Sequence, residues 1–231
     1  MEKFDYHHDF AKRLRCIFYS PGETFIALKE ETRWHDWLIP SLIVIAVSII
    51  SIDITMPIFV RDNLPVMIQR IEQIQNLTQS DKIYVFEIAI VLSQYFRYIL
   101  APVQLYFLLF ILSFIIQKMC NLFLNSYPSY RQILCLCSYI SLIGIPSIIL
   151  YTFLVLGKET LYIDLGLNVL LPRDLEYSYL AKALSQIQIF NIWQISLIAL
   201  GVSILTDKPP GKTTLLLFSS WLIWILFRSL F

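Results

Sequence analysis

Five separated apolar stretches run through this chain, at residues 37–59, 98–117, 133–156, 183–205 and 213–231. A bilayer core of about 30 Å needs about 20 apolar residues in a helix to cross it, and each stretch meets that length. Most of the segments between them are too short to fold alone. The chain is 57% hydrophobic and 15% charged, with a mean hydropathy of +0.66 over 231 residues. That is more apolar surface than a water-soluble core of this size buries, so hydrocarbon must cover the remainder. The expected fold is all-α: a polytopic membrane protein with five transmembrane helices and N-terminal amphipathic interfacial helices.

Two regions follow from the charge pattern, a cytoplasmic segment over 1–36 and a five-span membrane domain over 37–231. The net charge of +1 gives no global field for nucleic acid or an acidic substrate. Glu2, Lys3, Asp5, Asp9, Lys12, Arg13 and Arg15 crowd the beginning, which is unlike the apolar core of a cleaved secretory signal. The first span is therefore expected to direct insertion and stay. With the N terminus inside, ten lysines and arginines flank the spans on the inner side and seven on the outer. The positive-inside rule then predicts a cytoplasmic N terminus and an outer C terminus, in the plasma (inner) membrane if the source is bacterial.

Phe10, Leu14, Ile17 and Phe18 fall on one helical face while Lys12, Arg13 and Arg15 point elsewhere, the pattern of a helix lying in the interface. Ser20-Pro21-Gly22-Glu23 reads as a capping box opening a second helix over 21–32. Residues 61–82 form a loop with no fold of its own, unless 66–74 makes an outer surface helix. The loop carries a formal glycosylation sequon, Asn76-Leu77-Thr78. An apolar lead-in over 83–96 precedes the second span, so a helix beginning near Tyr84 needs tilt, a kink at Pro102 or an interfacial first half. Residues 161–171 are apolar but too short to span, and are expected in the interface or as a shallow re-entrant piece ended by Pro172.

The signals for chemistry are weak. Lys208-Pro209-Pro210-Gly211-Lys212-Thr213 ends like a phosphate-binding loop, but Thr206 occupies the position of its first glycine, so it reads as a turn between spans. His7 and His8 diverge by about 100° on a helix and cannot readily share an ion. Cys16, Cys120, Cys135 and Cys137 read as free thiols. No catalytic residue, cofactor site or metal site is expected.

Polar groups inside the spans carry more information, because a bare charge at bilayer depth is costly. Asp53, Glu87 and Arg97 form that set. Asp53 and Arg97 either pair with each other or snorkel separately to the outer headgroups. Gly144-Ile145-Pro146 is expected to bend the third span, freeing a carbonyl for Ser138 or Ser141. The fourth span opens with Gln186, Gln188, Asn191 and Gln194 around Trp193, amides that glue helices together or line a polar cavity.

Several of these pieces together resemble the Yip family, multi-span proteins named for interaction with Ypt/Rab GTPases, and specifically its prokaryotic branch. They are Arg15-Cys16-Ile17-Phe18-Tyr19-Ser20-Pro21 with Thr24-Phe25, then Trp37-Leu38-Ile39-Pro40, Tyr130-Arg131-Gln132-Ile133-Leu134 with Tyr139 and Pro146, and Ile189-Phe190-Asn191-Ile192-Trp193-Gln194 followed by 197–201. The resemblance implies a five-helix bundle with a cytoplasmic N terminus and no enzyme activity. Eukaryotic relatives act in vesicle trafficking by binding small GTPases and shaping membranes. The expected role is a non-catalytic scaffold or accessory subunit, with membrane lipids and other membrane proteins as partners, homo-oligomerisation allowed and no nucleic acid. The alternative is a transporter, channel or lipid-moving protein that uses the bent third span and the amide-rich fourth.

Overall fold

A computed structural model describes residues 10–74, 78–172 and 178–230, and these are helical with short connections. His7, His8, the acidic residues before Phe10, Asn76 and Leu77 of the sequon, Arg173 and Phe231 lie outside the described residues. The helices are α1 Phe10–Tyr19, α2 Pro21–Glu30, α3 His35–Glu72, α4 Gln79–Phe123, α5 Tyr130–Ser141, α6 Gly144–Lys158, α7 Tyr179–Ser185, α8 Ile189–Thr206 and α9 Pro210–Ser229. A 3-10 turn spans Leu167–Leu170. Five stretches are long and apolar enough to cross a bilayer: His35–Glu72, Gln79–Phe123, Tyr130–Lys158, Ile189–Thr206 and Pro210–Ser229. The chain is an all-α, multi-pass membrane protein.

Helix ends differ from the sequence expectation in instructive ways. The loop expected over 61–82 is mostly helix: α3 continues to Glu72 and α4 begins at Gln79. The piece expected as a separate surface helix is the last part of α3, reached through Pro57 and Pro65. Pro102 lies inside α4 without ending it. At 38 and 45 residues these helices rise about 57 and 68 Å, so each exceeds one bilayer core. The third span divides at Leu142 and Ile143, with Gly144 opening α6 and Pro146 in its first turn, where a missing N–H costs nothing. The fourth begins later than expected, at Ile189, after α7 has ended at Ser185.

Ser20 does stand at the N-cap of α2 with Pro21 first in the helix, but its side chain makes no capping hydrogen bond. The reciprocal box forms instead at α5, where Ser129 Oγ accepts from the Gln132 amide and the Gln132 side chain accepts from the Ser129 amide. Between α8 and α9, Asp207 takes the left-handed conformation at φ 54°, and Pro210 starts the next helix. Asp207 to Pro209 thus form the turn between two spans, and Pro210 to Thr213 are already the first turn of α9.

Packing gathers the chain into two units. The first comprises Met1–Val44, Tyr106–Ser147 and Asp164–Phe231, and the second comprises Ile45–Leu105 and Ile148–Ile163. In the first, α5 is the most buried helix: every residue from Ile133 to Ile140 is buried. The inner faces of α1 and α2 close over α5 and α8, burying Ile17, Phe25 and Leu28. Those apolar faces meet protein as well as whatever lies outside. In the second unit, Ile88, Val91, Leu92, Tyr95, Phe96 and Ile99 of α4 are all exposed. Spaced three and four residues apart, they form one continuous apolar stripe along the helix, a surface that hydrocarbon or another protein, not water, accommodates.

Gly201 of α8 packs directly on α5, where a β-carbon would collide with the buried Leu136 side chain. Small residues permit such crossings in membranes. Gly201→Ala is expected to destabilise the detergent-purified protein by about 1–3 kcal/mol, the range for overpacking. Thermal unfolding checks this, and adding Leu136→Ala must give less than the sum of the two single losses.

Candidate functional site

Among the described residues of the first unit the most buried charge is Asp36, in the first turn of α3, fully shielded at 0% exposure. Placing it there uses the helix N-terminus, where free amides and the helix dipole favour a carboxylate. The backbone N–H of Arg33 donates to Oδ2 at 2.7 Å. On the other oxygen, Arg13 Nη1 from α1 makes an ion pair at 3.1 Å and the Tyr139 hydroxyl from α5 donates at 3.1 Å. Arg13 is itself only 7% exposed and Tyr139 is fully buried. Three helices distant in sequence therefore meet on one carboxylate.

Around it the packing is aromatic and equally closed. Phe10 sits edge-on to His35 with centroids 5.1 Å apart, and the Arg13 guanidinium lies 6.0 Å from the Phe10 ring. Thr24 of α2 donates to the Arg13 carbonyl at 3.2 Å, and Ser138 of α5 donates to the Trp37 carbonyl. Gln132 donates to the Lys29 carbonyl at 3.0 Å, holding the end of α2 against the start of α5. Within this cluster Arg13 Nε remains without a hydrogen-bond partner. Chemically this is a clasp: both carboxylate oxygens are engaged by the protein's own donors.

Arg13 was expected on the polar face of α1 and is instead buried toward the bundle. The cluster it joins could not be anticipated, because Asp36 and Tyr139 lie 103 residues apart and helical periodicity reports only local faces. The available signal was an acidic residue at the mouth of the first span, a position that demands a partner.

The expected intramembrane set is distributed rather than convergent. Asp53 is exposed and accepts a hydrogen bond from Tyr98 at 2.9 Å. Arg97 turns instead to Phe59, its guanidinium 4.2 Å from the ring centroid, with Nη1 unpartnered. Asp53 and Arg97 thus make no ion pair among the described residues. The phenol next in sequence takes the carboxylate, and the cation takes the ring face, which needs no dehydrated counter-charge. Also in this second unit, Ser51 and Thr152 share a hydrogen bond at 2.6 Å. Glu87 is exposed on α4 beside Ile88 and Val91.

The amides of the fourth span bond locally. Gln188 stands at the N-cap of α8 without a side-chain capping bond. Asn191 donates to the Gln186 carbonyl at 3.3 Å, across the α7–α8 break, and Gln186 donates to Lys182 at 3.3 Å. Gln194 reaches the other helix, its Nε2 lying 3.5 Å from where a β-carbon on Gly144 would stand. Ser141 returns its hydrogen bond to the Ser138 carbonyl at 2.6 Å. Cys16, Cys120, Cys135 and Cys137 are free, the last three buried. No group of three metal-ligating side chains occurs among the described residues.

With the spans, the α5 core and the clasp in place, comparison with known proteins becomes decisive: the model of the Yip1 domain matches residues 15–230. The chain belongs to the Yip1-domain family. No curated protein and no solved structure matches it. The Yip1-domain match begins at Arg15, inside α1, so it takes in the second half of that helix together with Asp36 and Tyr139, while Arg13 lies just before it.

Removing one partner of a buried pair strands the other charge, so Asp36→Asn and Arg13→Met are each expected to cost about 3–5 kcal/mol. Tyr139→Phe is expected to cost about 1–3 kcal/mol. Unfolding of the purified protein measures all three, and the Arg13/Asp36 double variant must be less damaged than the two single losses combined. In the second unit, the charge exchange Asp53→Arg with Arg97→Asp is expected to give no rescue over the single variants. Tyr98→Phe and Asp53→Asn together should lose no more than the larger single loss.

Proposed function

We propose that this Yip1-domain protein is a non-catalytic scaffold or accessory subunit that associates laterally with other membrane proteins. We place its N terminus on the cytoplasmic side and its C terminus outside. The observation that carries this reading is the closure of the Asp36 cluster. A carboxylate that served as a general base or an ion ligand would need a vacant lone pair directed at an accessible space. Here the oxygens receive Arg13, Tyr139 and the Arg33 amide, and the surroundings are packed. The polar chemistry is spent on holding α1 and α3 to α5. The exposed apolar surface of α4 supports the lateral role, because helices in lipid associate through packing complementarity on such faces.

One feature favours a second reading, transport. The third span is broken at Leu142 and Ile143, and Gln194 lies beside Gly144 at that break. Interrupted helices with a nearby polar side chain line solute sites in many transporters. Reconstitution into sealed vesicles separates the two. The scaffold reading expects ion flux and labelled-lipid movement equal to empty vesicles, together with defined cross-links from α4 to neighbouring membrane proteins in native membranes. Flux above the empty-vesicle level that is abolished by Gln194→Leu would install transport in its place.

A further inference from the structure

One end of the first unit is built from the start of α3, the end of α4, the start of α5 and the α8–α9 turn, roofed by α1 and α2. Contacts tie these pieces together. Gln117 donates to the Pro128 carbonyl at 3.2 Å, joining the end of α4 to the turn before α5. Gln132 of α5 reaches the Lys29 carbonyl, and the Lys29 ammonium pairs with Asp207 of the α8–α9 turn at 2.5 Å. Charges carried on these segments therefore share one face of the protein.

Over residues 10–36, 117–132 and 207–213 that face carries nine lysines and arginines against five acids. Three acids are already matched: Asp36 by Arg13, Asp207 by Lys29 and Glu31 by Arg33. Arg15, Lys118, Arg131, Lys208 and Lys212 are in no ion pair among the described residues, and all but the half-buried Lys208 are exposed. Lys118 lies along Phe114 of its own helix, 5.2 Å from the ring, which keeps its charge at the end of an apolar span. The remaining excess is positive.

A second observation fixes what meets this charge. Tyr19, Trp34 and Tyr127 are exposed on the same face, on α1, between α2 and α3, and between α4 and α5. Exposed tyrosine and tryptophan at the ends of spans sit at the headgroup level of a bilayer, where one edge is apolar and the other wet. Bases interleaved with such rings lie where lipid phosphates lie. Each lysine or arginine near an anionic leaflet adds about 1 kcal/mol of attraction, which is roughly fivefold in affinity.

We propose that this face binds the headgroups of anionic lipids through Arg131, Lys208 and Lys212, with Arg15 and Lys118 alongside. The inference rests on the protein being embedded in a bilayer and is independent of whether it acts as a scaffold or a transporter. Phosphatidylglycerol and phosphatidylcholine of matched acyl chains, titrated into the protein in an uncharged detergent and followed by native mass spectrometry, test it. The wild type is expected to retain phosphatidylglycerol preferentially, and the preference should shrink as added salt shortens the screening length. Arg131→Gln with Lys208→Gln and Lys212→Gln should weaken that preference roughly fivefold per base removed. Lys208→Arg with Lys212→Arg should keep it, and so should Lys182→Gln with Arg228→Gln, which removes two bases from α7 and the last turn of α9. Equal retention of the two lipids by the wild type overturns the proposal. So does an equal loss in the triple variant and in the α7/α9 control. Binding of soluble polyglutamate as tightly as phosphatidylglycerol would assign the face to an acidic protein segment and overturn it as well.

Discussion

Hydrocarbon offers backbone amides and carbonyls nothing to bond to, so a chain that enters it must close those bonds within its own helices. This constraint accounts for the length of α3 and α4, which continue through prolines rather than open into loops. It also accounts for where hydroxyl groups point. Ser41, Thr55, Ser113, Thr152 and Thr206 each donate to a carbonyl three or four residues back in their own helix. A hydroxyl in an apolar helix is satisfied this way at little cost. Where backbone is irregular, it is covered by protein: Leu142 and Ile143, at the α5–α6 break, are buried and their amides bond to Tyr139 and Ile140. The α7–α8 break is likewise held, by the Ile187 carbonyl receiving the Leu167 amide and by Asn191 bonding to Gln186.

The same reasoning explains why so much polar contact converges on Asp36. A carboxylate buried at the mouth of a span is costly unless donors in fixed positions hold it, and those donors come from outside its own helix. Arg13 brings α1 and Tyr139 brings α5. Once α1 is committed there, Ile17 and the α2 residues Phe25 and Leu28 are buried against the bundle. A charged segment that could have been a surface appendage thereby becomes part of the packing of the first unit. The ion pair contributes definition of geometry more than net stability, since a buried pair roughly balances its own desolvation.

Much of the fold was legible because hydropathy over twenty residues is a strong signal, and the five spans were placed by it. Boundaries were not. The 61–82 segment carries Arg61, Asp62, Asn63 and Pro65, residues that read as loop, yet the helix of α3 persists through most of it. The Ser20 box and the Ser129 box illustrate a second limit. Both sequences permit capping, and only the second makes the bonds, since the outcome depends on backbone angles at the cap: the Ser129 backbone is extended whereas that of Ser20 lies outside the β region. The polar sites were the least legible. Asp53 was visible as an intramembrane acid, but the choice between Arg97 and Tyr98 as its partner is a matter of which face of α4 each occupies in three dimensions.

Charge positions also set where the membrane must lie on the longest helix. Between Arg97 and Lys118 the sequence of α4 runs through 98–117 without a charged residue, about the number needed to cross one bilayer core. Lys118 rests on Phe114 at one limit and Arg97 on Phe59 at the other, each a cation with its stem along a ring at the depth where snorkelling is possible. Asp53, bonded to Tyr98, marks the same level on α3. If that segment of α4 crosses, residues 79–96 lie beyond the core. Their exposed Ile83, Tyr84, Ile88, Val91 and Leu92 then have to be covered by tilt into the headgroup region or by another protein. Exposed to water such a surface would be costly, which is the physical ground for the lateral association proposed above.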